Sequence, residues 1–189
     1  MSDPILVGCV RGHVYDLLDI QPGDVAIEDL AHNAAQINRY CGAVSYPFSV
    51  ASHSVLVARL CPELHMLGGL THDLTEAAGL NDLISPVKRL LPEYTAIEER
   101  VRSALARIVF MPATESAEVK AADMLARKFE THYLRGAQHP ADVAETACDV
   151  AAELLLQEIP WRRSRDLFLD WYYHLIEEMK EVNRHTAIQ

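Results

Sequence analysis

In the segment GGLTHDLTEAA, residues 68 to 78, one imidazole and two carboxylates fall within five positions: His72, Asp73 and Glu76. On a helix turning about 100° per residue, Glu76 lies about 40° and Asp73 about 100° around the axis from His72. Leu67, Leu70, Leu74 and Ala77 gather on the opposite side. The three ionisable groups therefore share one face. The solvated face of an amphipathic helix has the same pattern, so the segment acquires chemical meaning only through partners elsewhere. His53 is one candidate. It sits among Val50, Ala51, Val55, Leu56 and Val57, which predicts a buried imidazole in need of a partner. Asp123 is another, flanked by Ala121, Ala122, Met124 and Leu125, with an i,i+4 pair to Arg127 as the alternative reading. Two imidazoles and two carboxylates converging from three helices would form a mixed nitrogen and oxygen site for one divalent ion. Without thiolates in the set, a closed structural zinc site is disfavoured. Four protein ligands on an ion that takes six leave room for water and a substrate oxygen.

The elements that must position these residues read as helices. AIEDLAHNAAQINRY (26–40) has Ile27, Leu30, Ala34 and Ile37 at helical spacing, with Gly42 just beyond as a stop. SVASHSVLVARL (49–60) is apolar nearly all round, as a buried helix is. A helix over 65–78 follows Pro62, and Ser85-Pro86 opens a short one carrying Lys88 and Arg89. Long helices fit 92–110, 114–135, 141–158 and 162–183, set apart by Pro112, Pro140 and Pro160. PILVGCV (4–10) and HVYDLL (13–18) resemble strands of a small hairpin. With no internal repeat or linker, the expectation is an all-α fold, possibly with an N-terminal β-hairpin, in one domain over 1–189. In the last helix, Phe168, Trp171, Tyr172, Leu175 and Ile176 form an apolar stripe that closes the core or packs a neighbour.

At 189 residues the chain can bury a core without disulfides or a structural metal. A formal charge of −10 with no basic block argues against a nucleic-acid polymer as partner. A small anionic substrate stays compatible with that charge where a metal and local cations neutralise it. Cys9, Cys41, Cys61 and Cys148 are scattered and form no CxxC pair. They read as reduced thiols, which predicts a cytoplasmic setting. No apolar run reaches 18 residues and no charged leader is present, so neither secretion nor a membrane span is expected.

The order His53, His72-Asp73, Asp123 resembles the HD-domain metal-dependent phosphohydrolases. FSVASHSVLVARL, LTHDLTEAAGLNDLISPVKRLLPEYTAIEERV and VKAADMLARKFE look like the subgroup of bacterial 5′-deoxynucleotidases and phage dATP triphosphohydrolases. VYDLLDIQPGDVAIEDLAHNAAQINRYCG is similar to the compact, often phage-encoded branch. The resemblance covers roughly 8–135, with helices over 141–183 completing the same helical bundle. It implies that His53, His72, Asp73 and Asp123 hold one divalent ion (Co2+, Mn2+, Mg2+, Zn2+ or Fe2+). Glu76 matches the catalytic glutamate, and Arg39 and Lys88 match phosphate-binding positions. Tyr40 stands where relatives carry an aromatic that packs on the sugar and rejects a 2′-hydroxyl. Gly42 stands where a bulky side chain crowds the base in dATP-specific relatives, so strict adenine selection is not implied here. Asp82 fills a sugar-contacting position, unless a one-residue shift moves it to Asn81. Ser52 replaces a glutamate that often precedes the first metal histidine, which removes an outer hydrogen-bond acceptor. The implied activity is hydrolysis at the α-phosphorus of a deoxynucleotide. The phage-like N-terminal segment favours a purine dNTP releasing triphosphate, with dNMPs as the alternative. A nucleotide-sensing module that has lost turnover is the contrasting reading, and a homo-oligomer is expected by resemblance.

Overall fold

Helix α2 (Val50–Leu60) is the axis on which the other elements pack: Val50 through Ala58 are all buried. Ser49 caps it by accepting the amide of Ser52, the position such a cap serves. Fully burying each Val or Leu there is worth roughly 1.5–3 kcal/mol. The computed structural model describes residues 3–186. Against α2 lie α3 (Met66–Thr71), α6 (Ala117–Arg135), α7 (Glu145–Leu155) and α8 (Trp161–Thr186). Helix α1 (Ile27–Ala34) packs on α8, and the short α4 (Ser85–Lys88) packs on α5 (Pro92–Leu105). The only sheet among the described residues is a hairpin of β1 (Leu6–Gly8) and β2 (Val14–Asp16), antiparallel with Val7 opposite Tyr15. The chain is thus mostly helical with a small N-terminal hairpin, as its periodicity predicts. Among the described residues no helix is long and apolar enough to cross a membrane.

Several elements are shorter than their periodicity suggests. Helix α1 stops at Ala34 because residues 37–39 pair with 48–50: Arg39 N donates to Phe48 O and Val50 N to Ile37 O. Asn38 Oδ1 adds a bond from Phe48 N at 2.8 Å. This bridge delivers Arg39 to the mouth of α2, and a left-handed turn follows at Tyr40 (φ 55°) and Cys41 (φ 51°). Helix α5 ends at Leu105 rather than 110, and α6 starts at Ala117, capped by Ser116. The expected 141–158 helix spans Glu145–Leu155, whereas α8 outruns its expected 162–183 at both ends. Its stripe closes the core: Phe168, Tyr172, Leu175 and Ile176 are buried within the chain and Trp171 half-buried.

The expected 65–78 helix is interrupted. Regular α-helical bonding ends at Thr71, Glu76 N bonds to Asp73 O, and Glu76–Leu80 forms a wide π-type turn. His72 and Asp73 sit at the break, where such irregularities commonly serve function. The preceding Gly69 lets α3 approach α2 closely: a Cβ there would lie 2.7 Å from Cys61 Sγ and 3.0 Å from Ala58 Cα. Backbone cannot yield as a side-chain tip can. Gly69→Ala should therefore push α3 off α2, destabilising the fold by about 1–3 kcal/mol in urea denaturation. An unchanged midpoint would contradict this reading of the contact.

Candidate metal centre and its cavity

His53, in the middle of α2, has no solvent exposure. Its Nδ1 lies 2.5 Å from Oε1 of Glu130 on α6, and Nδ1 of His72 lies 2.8 Å from the Gly69 carbonyl oxygen. A carboxylate and a carbonyl can only accept, so both Nδ1 atoms donate and both rings offer Nε2 to the interior. These two Nε2 atoms are 3.3 Å apart. Asp73 Oδ2 lies 3.2 Å from Nε2 of His72 and 3.5 Å from that of His53. Asp123 Oδ1, from α6, lies 3.3 Å from Nε2 of His53 and 4.0 Å from that of His72. The ligating atoms of His53, His72 and Asp123 all fall within 4.8 Å of one another, and Asp73 closes on both imidazoles.

Two nitrogen lone pairs and two carboxylate oxygens, with the far ring nitrogens already tied, fit a divalent ion. The electrostatics agree. Burial and the Arg39 charge oppose a proton on His53, yet Glu130 and Asp123 outweigh them and lift its pKa to about 9. Burial opposes ionising Asp73, but His72, His53 and Arg39 hold its carboxyl well below the usual carboxylate range. The site draws positive charge.

Glu130 is the functional residue that sequence reasoning missed. It is fully buried, and besides His53 it accepts from Arg39 Nε at 3.2 Å and Tyr40 Oη at 2.8 Å. Burial works against its charge, but Arg39 and His53 bring its pKa down to about 2. The signal was its place two turns after Asp123 on one helix, together with the need of a buried His53 for an acceptor. Ser52 does not reach the site; its hydroxyl donates to Ser164 Oγ at 2.8 Å. The outer acceptor comes from α6 instead of from the residue before His53. Asp123 combines both of its expected roles, since its Oδ2 accepts from Arg127 while Oδ1 faces the imidazoles.

His72, Asp73 and Asp123 open onto a cavity of about 890 Å³, with His53 buried behind them, a volume within the usual range for small-molecule sites. Arg39, Tyr40, Glu76, Asp82 and Lys88 line it, as expected. Arg39 is buried, with Nη1 3.5 Å from Asp73 Oδ2. Lys88 Nζ donates to Glu98 Oε1 at 2.8 Å and lies 3.5 Å from Glu76 Oε1. Burial, with Asp73 and Asp82 nearby, pushes the Glu76 carboxyl up to about 9. Of the two alternatives at that loop, Asp82 lines the cavity and Asn81 does not. Gly42 is exposed and is not among the lining residues, while Tyr40 and Ala43 on either side of it are. Its φ of 78° finishes the left-handed turn begun at Tyr40. Tyr40 is also constrained more than expected, because its hydroxyl is committed to Glu130. Periodicity did not bring out Arg102, whose Nη2 donates to the His72 carbonyl at the helix break, nor Lys120, Arg127 and Arg135 on the α6 wall. If these residues hold an ion, Glu130 would orient His53 rather than bind it, and Glu130→Gln should weaken Mn2+ binding roughly 10- to 100-fold by titration calorimetry. Wild-type affinity in that variant would remove Glu130 from the site.

No protein-family model matches the chain. It is 37% identical over 106 residues to the uncharacterized protein YfdR of Escherichia coli K12, a match covering 56% of this chain and 59% of YfdR, less than two thirds of that relative. It is 36% identical over 141 residues to the uncharacterized protein RCAP_rcc00048 of Rhodobacter capsulatus, covering 67% of this chain and 71% of that protein. By that likeness the chain belongs to the family of RCAP_rcc00048.

Proposed function

We propose that the chain is an HD-domain, metal-dependent phosphohydrolase that removes the 5′-phosphate of deoxynucleotides. The observation that carries this reading is the convergence of two imidazoles and two carboxylates at the inner end of a cavity that a buried acid and two cations line. His53, His72, Asp73 and Asp123 would hold the ion, and such an ion supplies Lewis acidity and lowers the pKa of bound water. Arg39 and Lys88 offset the negative charge that spreads over phosphoryl oxygens in the transition state. Glu76 is 3% exposed, and its Oε2 has no hydrogen-bond partner among the described residues. With its carboxyl raised to about 9 it holds a proton near neutral pH. That proton can pass from Oε2 to a leaving oxygen, or the carboxylate can accept one from water.

The charge of the cavity bears on phosphate number. Seven carboxylates line it against six cationic side chains. Four of the six already face carboxylates: Arg39 with Glu130, Lys88 with Glu98, Lys120 with Glu115 and Arg127 with Asp123. A triphosphate carries about two more negative charges than a monophosphate, at a local cost that grows in a low-dielectric cleft. This balance favours dNMPs, while the volume favours the larger dNTPs that the N-terminal segment suggests. Charge decides between them here, and the monophosphate is the leading substrate.

Phosphate release with product analysis across dNMPs, dNTPs and ribonucleotides, each with Mg2+, Mn2+ and Co2+, tests the reading. Turnover of a deoxynucleotide is expected, falling roughly 10²- to 10⁴-fold in Glu76→Ala while Mn2+ affinity stays within a few-fold. Wild-type turnover in that variant would remove Glu76 from the chemistry. Inertness toward every nucleotide with every ion would overturn the enzyme reading and leave nucleotide sensing in its place.

A further inference from the structure

We propose that Arg135 recognises the nucleobase of the substrate, donating from its guanidinium to an oxo-bearing edge; the inference rests on the nucleotide reading above. Arg135 is the last residue of α6, twelve residues beyond Asp123, about 18 Å along the helix axis. That is too far for contact with a phosphate seated on the metal ligands, but it suits the distal end of a nucleoside. Tyr40 lies between. Its ring centroid is 5.6 Å from the Arg39 guanidinium carbon and 5.2 Å from that of Arg135. Arg39 and Arg135 thus both neighbour the Tyr40 ring in the cavity lining, and Arg39 is the one beside Asp73. A nucleotide whose phosphate meets Arg39 and whose sugar follows Tyr40 brings its base to Arg135.

The state of the guanidinium supports a ligand there. Every other cation lining the cavity is engaged by a carboxylate or, for Arg102, by a backbone carbonyl. Among the described residues Arg135 makes no hydrogen bond or ion pair; the Tyr40 ring is what holds it. Cation–π stacking fixes a guanidinium while leaving its edge donors unused. Two parallel N–H donors match the O6 and N7 acceptors of guanine, and one oxo group of thymine takes a single donor. Adenine offers N7 beside an amino group, which is itself a donor and opposes a second N–H. The chemistry therefore favours guanine over adenine. No bulky side chain at position 42 counteracts this preference, since Gly42 stands outside the cavity.

The test compares steady-state kinetics of the metal-loaded wild type, Arg135→Ala and Arg135→Lys on dGMP, dTMP, dAMP and dGTP. Deoxyribose 5-phosphate serves as a base-free competitive inhibitor. Arg135→Ala should raise KM for dGMP roughly ten- to a hundredfold at unchanged kcat. It should raise KM for dAMP less and leave inhibition by deoxyribose 5-phosphate unaltered. Arg135→Lys should recover only part of the loss, because an ammonium cannot form the paired contact. Equal losses on all ligands, the base-free one included, would overturn the assignment in favour of a general electrostatic or structural role. A loss on dGTP without one on dGMP would make Arg135 a distal-phosphate residue, and no change at all would leave it a solvated cation. Each of these outcomes retains turnover by the wild type, so it rejects Arg135 as base reader without touching the phosphohydrolase reading. A wild type inert toward all four nucleotides rejects that reading itself, and the inference falls with it.

Discussion

Two imidazole nitrogens 3.3 Å apart, with carboxylate oxygens 3.2 to 4.0 Å from them, form a cluster of electron pairs that needs positive charge among them. The far nitrogen of each ring is already spent on an acceptor, so neither ring can turn its proton inward without losing a buried hydrogen bond. A proton on His53 is one remedy and a divalent ion is the fuller one. The rest of the structure is arranged around that demand. Burying such groups without compensation costs several kcal/mol per charge, so an arrangement of this kind persists where something binds it.

Glu130 spreads the constraint outward. One buried carboxylate accepts from a metal-facing imidazole, a cavity-lining guanidinium and a tyrosine hydroxyl. The orientation of His53 and the placement of Arg39 and Tyr40 are therefore not independent. The left-handed turn at Tyr40 and Cys41, costly for residues with side chains, is held by the 37–39 and 48–50 bridge on one side and by Glu130 on the other. On the opposite wall, Arg102 from α5 fastens the His72 carbonyl where α3 loses its regular bonding. The ligands stand on rigid elements, and the irregular backbone is confined to places where other groups complete it.

The helical class and the buried α2 were legible from periodicity, and His53 as a misfit in an apolar helix; that His53, His72, Asp73 and Asp123 belong together was implied by the resemblance of their order to HD-domain phosphohydrolases. An imidazole in an apolar helix announces an interior role, and carboxylates one turn from it announce a shared face. What periodicity could not show was set by tertiary contacts. The end of α1 at Ala34 is set by the strand-like pairing of residues 37–39 with 48–50, and the break at His72 stands where Arg102 from another helix binds the His72 carbonyl. Glu130 was hidden because an ionisable residue in an amphipathic helix reads as solvent-facing until the neighbouring helices are in place. The left-handed backbone at Tyr40, Cys41 and Gly42 was equally hidden, because positive φ at residues with side chains has no periodic signal.

The most direct measurement is anomalous diffraction at the manganese or cobalt edge from crystals grown with that ion. The account predicts one peak about 2.0–2.3 Å from Nε2 of His53, Nε2 of His72 and a carboxylate oxygen each of Asp73 and Asp123. An ion bound elsewhere, or a map with no peak among these four side chains at saturating metal, would contradict it.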